Sequence, residues 1–151
     1  MNNTVAIYPN AQGNPTYIST PLSQTYWAAY DNDGNLFVGG NTGPSSYGLA
    51  ELPSGSGTFT KVSLNESIGI DALQWTDGDL VVSYDSAESR ARNLYRIQIS
   101  GTEGKIVGTT VLDLVKKPRN VQSQFLNWVI PFSRQHRTLS NVGTILRVAT
   151  P

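Results

Sequence analysis

Tyr30-Asp31-Asn32-Asp33-Gly34-Asn35-Leu36-Phe37-Val38 runs from an apolar residue through a polar turn into an apolar strand. Trp75-Thr76-Asp77-Gly78-Asp79-Leu80-Val81-Val82 runs the same way. Gly34 and Gly78 lie 44 positions apart, and a fixed period of this size marks a repeat architecture. Each Asp-Gly pair sits between apolar residues. Glycine enters the left-handed region without a Cβ clash, so each pair predicts a tight β-hairpin.

The pattern continues outward from these hairpins. After the first come Tyr47 to Pro53, a Ser/Gly turn, and Thr58 to Leu64; after the second come Asn93 to Ile99, a turn, and Lys105 to Leu112. Each unit thus contains four short strands of mostly period-two alternation joined by hairpins, the description of one propeller blade. The expectation is an all-β chain forming a partial β-propeller, with four-stranded antiparallel blades of about 44–48 residues. Complete blades are expected over 26–64 and 70–113. A partial blade over 4–20 supplies two last strands, with Val5 placed 44 positions before Leu49. Another partial blade is expected over 123–148. No stretch of about twelve residues keeps a 3.6-residue period with caps, so no helix is predicted.

Composition narrows the function classes. The 151 residues carry 11 basic and 11 acidic side chains, leaving no net charge to attract phosphate backbones or anionic lipid; neither nucleic acid nor a membrane is expected as partner. The chain has no cysteine, which removes disulfides and thiolate metal sites. Met1 to Asn10 has neither a basic region nor an apolar core of signal-peptide type, and no window approaches the roughly 18 apolar residues of a spanning helix.

Trp27-Ala28-Ala29-Tyr30-Asp31 with Gly34-Asn35-Leu36-Phe37-Val38, then Leu49-Ala50-Glu51-Leu52-Pro53 and Phe59-Thr60, resembles uncharacterised bacterial secreted β-propeller proteins of NHL-like or SMP-30-like type. Ile70 to Trp75, Leu94 to Gly101 and Ser140 to Gly143 extend the resemblance over most of the chain. It implies an extracytoplasmic or secreted location. It also implies more blades than this chain holds, so a fragment of a longer propeller is the expectation. Thr144 to Pro151 departs from the pattern, lacking the aromatic strand and Tyr-Pro turn that relatives place there.

Asp31, Asp33 and Asn35 alternate around Gly34 like the first half of a calcium loop. The downstream bidentate carboxylate is missing from Phe37 to Thr42, which favours a plain turn, with calcium or another divalent metal as the alternative. Asp71 begins an inner strand, where the SMP-30-like resemblance implies a channel-facing metal ligand; a structural aspartate is the preferred reading. Trp27, Trp75 and Trp128 recur once per unit and either pack between blades, the preferred reading, or form a stacking surface for a sugar or peptide. His136 is the only histidine, set between Arg134 and Arg137 in a polar loop, and no Gly-x-Ser-x-Gly elbow accompanies it. Lys116-Lys117-Pro118-Arg119 reads as a solvated linker.

These features point to a non-catalytic binding or scaffold module with a small-molecule, sugar or peptide ligand. The alternative is a remnant or subunit of an SMP-30-like metal-dependent lactonase, hydrolase or related lyase. Because a propeller buries its edges only on closing its ring, a homo-oligomer is expected: a dimer in which Phe125 to Phe132 of one copy pairs with Val5 to Thr20 of another, closing six blades.

Overall fold

The computed structural model describes residues 3–85, 91–113 and 145–146. The described residues are all-β apart from one short 3-10 turn, Pro9–Ala11. The strands are β1 (Thr4–Ile7), β2 (Thr16–Ser19), β3 (Gln24–Tyr30), β4 (Leu36–Gly43), β5 (Ser46–Leu52), β6 (Thr60–Leu64), β7 (Ala72–Thr76), β8 (Asp79–Asp85), β9 (Ala91–Ser100), β10 (Glu103–Asp113) and β11 (Ile145–Leu146). Of the fourth expected unit, 123–148, only β11 is described; Trp128, His136 and Lys116 to Arg119 lie outside the described residues.

Two antiparallel meanders, β3-β4-β5-β6 and β7-β8-β9-β10, dominate. They join into one eight-stranded mixed sheet through a short parallel contact of β6 with β10, at Ser63 with Glu103 and Leu64 with Gly104. Asn65 stitches this join: its side-chain oxygen accepts from the Ile106 N–H at 2.8 Å, and its own N–H donates to the Gly104 carbonyl at 3.2 Å. A smaller sheet has the order β11-β1-β2, with β11 parallel to β1 at Ala6 and Ile7.

The two Asp-Gly motifs make different turns. Asp77 (φ 51°) and Gly78 (φ 85°) form the two-residue loop between Thr76 and Asp79, both left-handed as a type I′ hairpin demands. In the first unit the last pair is Tyr30 with Leu36, so residues 31–35 form a longer loop in which Gly34 alone is left-handed, at φ 83°. The cause is Asp31. Its Oδ1 accepts from the N–H groups of Asp33 (2.9 Å) and Asn35 (2.8 Å), and its Oδ2 accepts from Asn35 Nδ2 (2.7 Å). A carboxylate tying three donors offers the backbone an alternative to the tight turn.

Strand alternation decides what packs where. Leu36 and Val38 of β4, with Ala50 and Leu52 of β5, face back onto the β1-β2 hairpin, meeting Val5, Ile7 and Ile18. Phe37 and Leu49, one residue out of phase, face forward onto the second meander, meeting Ile70, Leu80, Val82 and Ile97. The first meander is therefore buried on both faces, which is why Leu36-Phe37-Val38 is an unbroken apolar run rather than an alternation. Registers repeat across the layers. Val5 pairs with Ile18 as Leu49 pairs with Val62, and Leu36 faces back as Leu80 does.

Candidate functional site

The rim where β3, β5, β7 and β9 begin and β4 and β8 end gathers polar side chains from both meanders. Gln24, Asn41 and Tyr47 form a row across β3, β4 and β5. Tyr26 stands beside them because a bulge between Thr25 and Trp27 turns it outward. The Tyr26 hydroxyl hydrogen-bonds to Gln24 Oε1, and Asn41 Nδ2 donates to the Tyr26 hydroxyl at 3.3 Å and to Gln24 Oε1 at 3.5 Å. Tyr26 and Tyr47 are 43% and 40% exposed, so two phenol rings and two amides face solvent together.

Tyr47 bridges the meanders. Its ring meets Tyr84 at the end of β8 edge to face, centroids 6.2 Å apart. Tyr84 in turn lies on Gly69, where a Cβ would fall 2.0 Å from the Tyr84 ring; only glycine admits that approach. Tyr47 also walls a cavity of about 280 Å³ with Lys61, Ser63, Glu66, Ser67 and Ile68. The rim is thus a mixed surface of aromatic edges and neutral hydrogen-bonding groups beside a concave site.

A charged cluster holds the second meander's part of the rim. Arg92, only 5% exposed, makes a bidentate pair with Asp85: Nε to Oδ1 at 2.8 Å and Nη2 to Oδ2 at 2.6 Å. Asp71 Oδ2 accepts from the Asp85 N–H at 2.6 Å, and the Asp71 N–H donates to the Ser83 carbonyl at 2.7 Å. Asp71 therefore splints the start of β7 to the end of β8. The hydrogen bond to Asp85 raises the Arg92 pKa against the opposing effect of burial, with the charges of Asp85 and Asp71 adding to it.

The sequence-predicted residues are dispersed. Asp31 and Asp33 sit at the opposite rim, both oxygens of Asp31 engaged in the turn. Among the described residues no three His, Cys, Asp or Glu side chains group as metal ligands. Trp27 and Trp75 are not equivalent in the repeat: Trp27 pairs with Gly39 and Trp75 with Leu80, so Trp27 faces forward from the first meander and Trp75 back from the second. They meet in one apolar cluster, where Trp75 stacks on Phe37 at 5.6 Å and 6°. The Trp75 indole N–H is buried with no hydrogen-bond partner, the mark of a ring used for packing. The reasoning from sequence missed Gln24, Tyr26, Asn41, Tyr47, Tyr84 and Arg92. Their shared signal is position: each lies within two residues of a strand end on one rim.

Comparison with known proteins returned no matching family model, curated protein or solved structure, and no family is assigned.

Proposed function

We propose that this chain is a run of β-propeller blades serving as a non-catalytic binding module, with the Gln24–Tyr26–Asn41–Tyr47 rim as its ligand face and a neutral saccharide as the ligand class. The propeller reading is supported by two four-stranded meanders stacked face to face with their repeat registers aligned. The observation that carries the binding reading is the exposed Tyr26–Gln24–Asn41 network beside the Tyr47 cavity. Phenol rings stack on the C–H faces of a sugar, and amides donate to and accept from its hydroxyls without a charge to desolvate. A peptide ligand would instead add to a strand edge, and this rim presents strand ends.

Completion of a six-bladed ring by a second copy belongs to the same reading under one constraint. Part of the β1 edge is taken by β11 of the same chain, so the copies would meet through sheet faces.

The test is an NMR titration against a panel of neutral oligosaccharides. At least one is expected to shift the amides of Gln24, Asn41 and Tyr47 at millimolar concentration, with binding weakened about tenfold in Asn41→Ala and Tyr26→Ala, the loss of one to two hydrogen bonds. Binding indifferent to both substitutions, or no shifts at the rim across the panel, overturns the assignment; shifts from extended peptides alone would replace the saccharide with a peptide.

A further inference from the structure

The ligand face is longer than one sugar. Gln24, Asn41 and Tyr47 stand opposite one another on β3, β4 and β5, so by the spacing of paired strands the row covers about 10 Å. Past Tyr47 it opens into the cavity of about 280 Å³ that Ser63, Ser67 and Ile68 line, which adds the width of β6. Lys61 and Glu66 also line this cavity and are of opposite sign, so it makes no net demand for a charged ligand. The row is stiff. The Asn41 carbonyl accepts from the Ser23 N–H at 2.7 Å and from Ser23 Oγ at 2.8 Å, and Tyr47 meets Tyr84, itself seated on Gly69. A face already held in its binding geometry loses little freedom when a ligand lands on it.

The hydrogen-bonding capacity of the row is only partly used. Gln24 Oε1 accepts from the Tyr26 hydroxyl and from Asn41 Nδ2. Gln24 Nε2, Asn41 Oδ1 and the Tyr47 hydroxyl have no partner among the described residues. One amide thus presents N–H donors and the next a carbonyl acceptor, with an exposed phenol ring to either side. A single pyranose would cover one ring and its adjoining amide and leave the rest of the row in water. A β-1,4-linked chain covers it all: equatorial bonds at both ends of each unit keep the chain extended, and every second unit presents the same face. An α-1,4-linked chain curves away from a row set across strands. Building on the saccharide reading of this rim, we infer that it binds an extended, neutral β-1,4-linked glycan of at least three units. The chain lies across the strands from Tyr26 over Asn41 and Tyr47, with one end in the cavity beside Ser67.

The test is calorimetric titration with cello-, manno- and xylo-oligosaccharides from monosaccharide to hexasaccharide, with malto-oligosaccharides as the curved control and amide shifts read in parallel. In at least one β-1,4-linked series the Kd is expected to fall about tenfold from disaccharide to tetrasaccharide, through one or two added hydrogen bonds, and then to level. The tetrasaccharide, unlike the monosaccharide, should shift Asn41 and Ser67 together. Ser67→Trp, at an exposed position, fills the cavity and should leave the tetrasaccharide binding no more tightly than the disaccharide. The length series is read on the native chain, so the test holds if that variant fails to fold. Monosaccharides that bind the rim as tightly as their tetrasaccharides overturn this inference and leave the saccharide reading standing. So does a malto series that rises as steeply as the others, or a tetrasaccharide gain that Ser67→Trp does not touch. Absence of any saccharide binding at the rim overturns both.

Discussion

Replacing Phe37 by alanine tests the stacking of the two meanders directly. Phe37 is 1% exposed and packs forward against the second meander, its ring parallel to that of Trp75 at 5.6 Å. Deleting a buried phenylalanine ring costs about 3–5 kcal/mol, of which the aromatic contact contributes roughly 0.5–1.5 kcal/mol. Domains of this kind have total stabilities of about 5–15 kcal/mol. With a urea m-value near 2 kcal/mol/M, the unfolding midpoint should fall by about 2 M. The assay is urea unfolding followed by circular dichroism, with tryptophan emission read in parallel, because Trp75 loses its cover and should shift to the red. A double-mutant cycle of Phe37→Leu with Trp75→Leu should return a coupling of about 0.5–1.5 kcal/mol. Val81 occupies the same repeat position in the second meander as Phe37 in the first, yet it is only half-buried; Val81→Ala should cost about 1 kcal/mol. A Phe37→Ala cost below about 1 kcal/mol, or one equal to that of Val81→Ala, would refute the face-to-face stacking.

Asp85→Asn should destabilise more than Arg92→Met, by about 1–3 kcal/mol in thermal or urea unfolding, because the first leaves a buried guanidinium short of its charge while the second leaves a carboxylate that water reaches. Glu51 has a raised pKa, chiefly from burial and secondarily from the charge of Asp31. It therefore holds its proton more tightly folded than unfolded, and its contribution is lost as pH rises from the ordinary carboxylate pKa through the raised one. Glu51→Gln should then be at least as stable as the native chain at pH 7, with the difference closing below pH 4 as measured by thermal melts across that range; a native chain more stable than the variant at pH 7 would contradict the sign. Calcium at millimolar concentration should leave the melting temperature within about 1 °C of its value in chelator, since a ligand that does not bind the folded state cannot stabilise it, and Asp31→Ala should cost about 1–2 kcal/mol with or without calcium through the lost turn bonds.

The strands were legible because their signal is local. Leu36-Phe37-Val38, Leu80-Val81-Val82 and the flanking Asp-Gly turns declare extended, buried segments, and the 44-residue spacing of Val5 and Leu49 carries through to their pairing partners Ile18 and Val62. The turn at Asp31 was not legible in detail. Whether Asp-Gly closes in two residues or five depends on where a carboxylate finds donors, and Asp31 finds them at Asp33 and Asn35 while Asp77 takes the left-handed backbone itself. The faces of Trp27 and Trp75 were not legible for a related reason. Their spacing exceeds the 44-residue period by four, and the loop after β3 is one residue longer between equivalent pairs, so Trp27 lies three strand positions from the counterpart of Trp75 and on the opposite face. The rim was hidden because Gln24, Asn41 and Tyr47 are far apart in sequence and ordinary in type; only strand pairing puts them in one row.

The repeat register also exposes an asymmetry that composition conceals. On the first meander's forward face stand Trp27, Ala29, Phe37, Leu49 and Val62, which pack in one cluster with the second meander. Strand pairing puts Ala72, Gln74, Val81, Leu94 and Thr110 at the matching positions on the second meander, joined by Ser83, Arg92 and Arg96, with Arg96 paired to Asp79 at 3.1 Å. Glycine at position 39 admits Ile70 and Leu73 closely, whereas its counterpart Ser83 brings a hydroxyl. Identical units stacked by apolar burial alone would present the same face at every layer. Here the matching face of the second meander carries amide, hydroxyl and guanidinium groups, each of which needs a partner when buried. The side chain of Gln74 already has a buried oxygen without one. Apolar burial therefore accounts for the contact between the two meanders, while the matching face of the second meander relies on polar pairing, as Arg92 with Asp85 and Arg96 with Asp79.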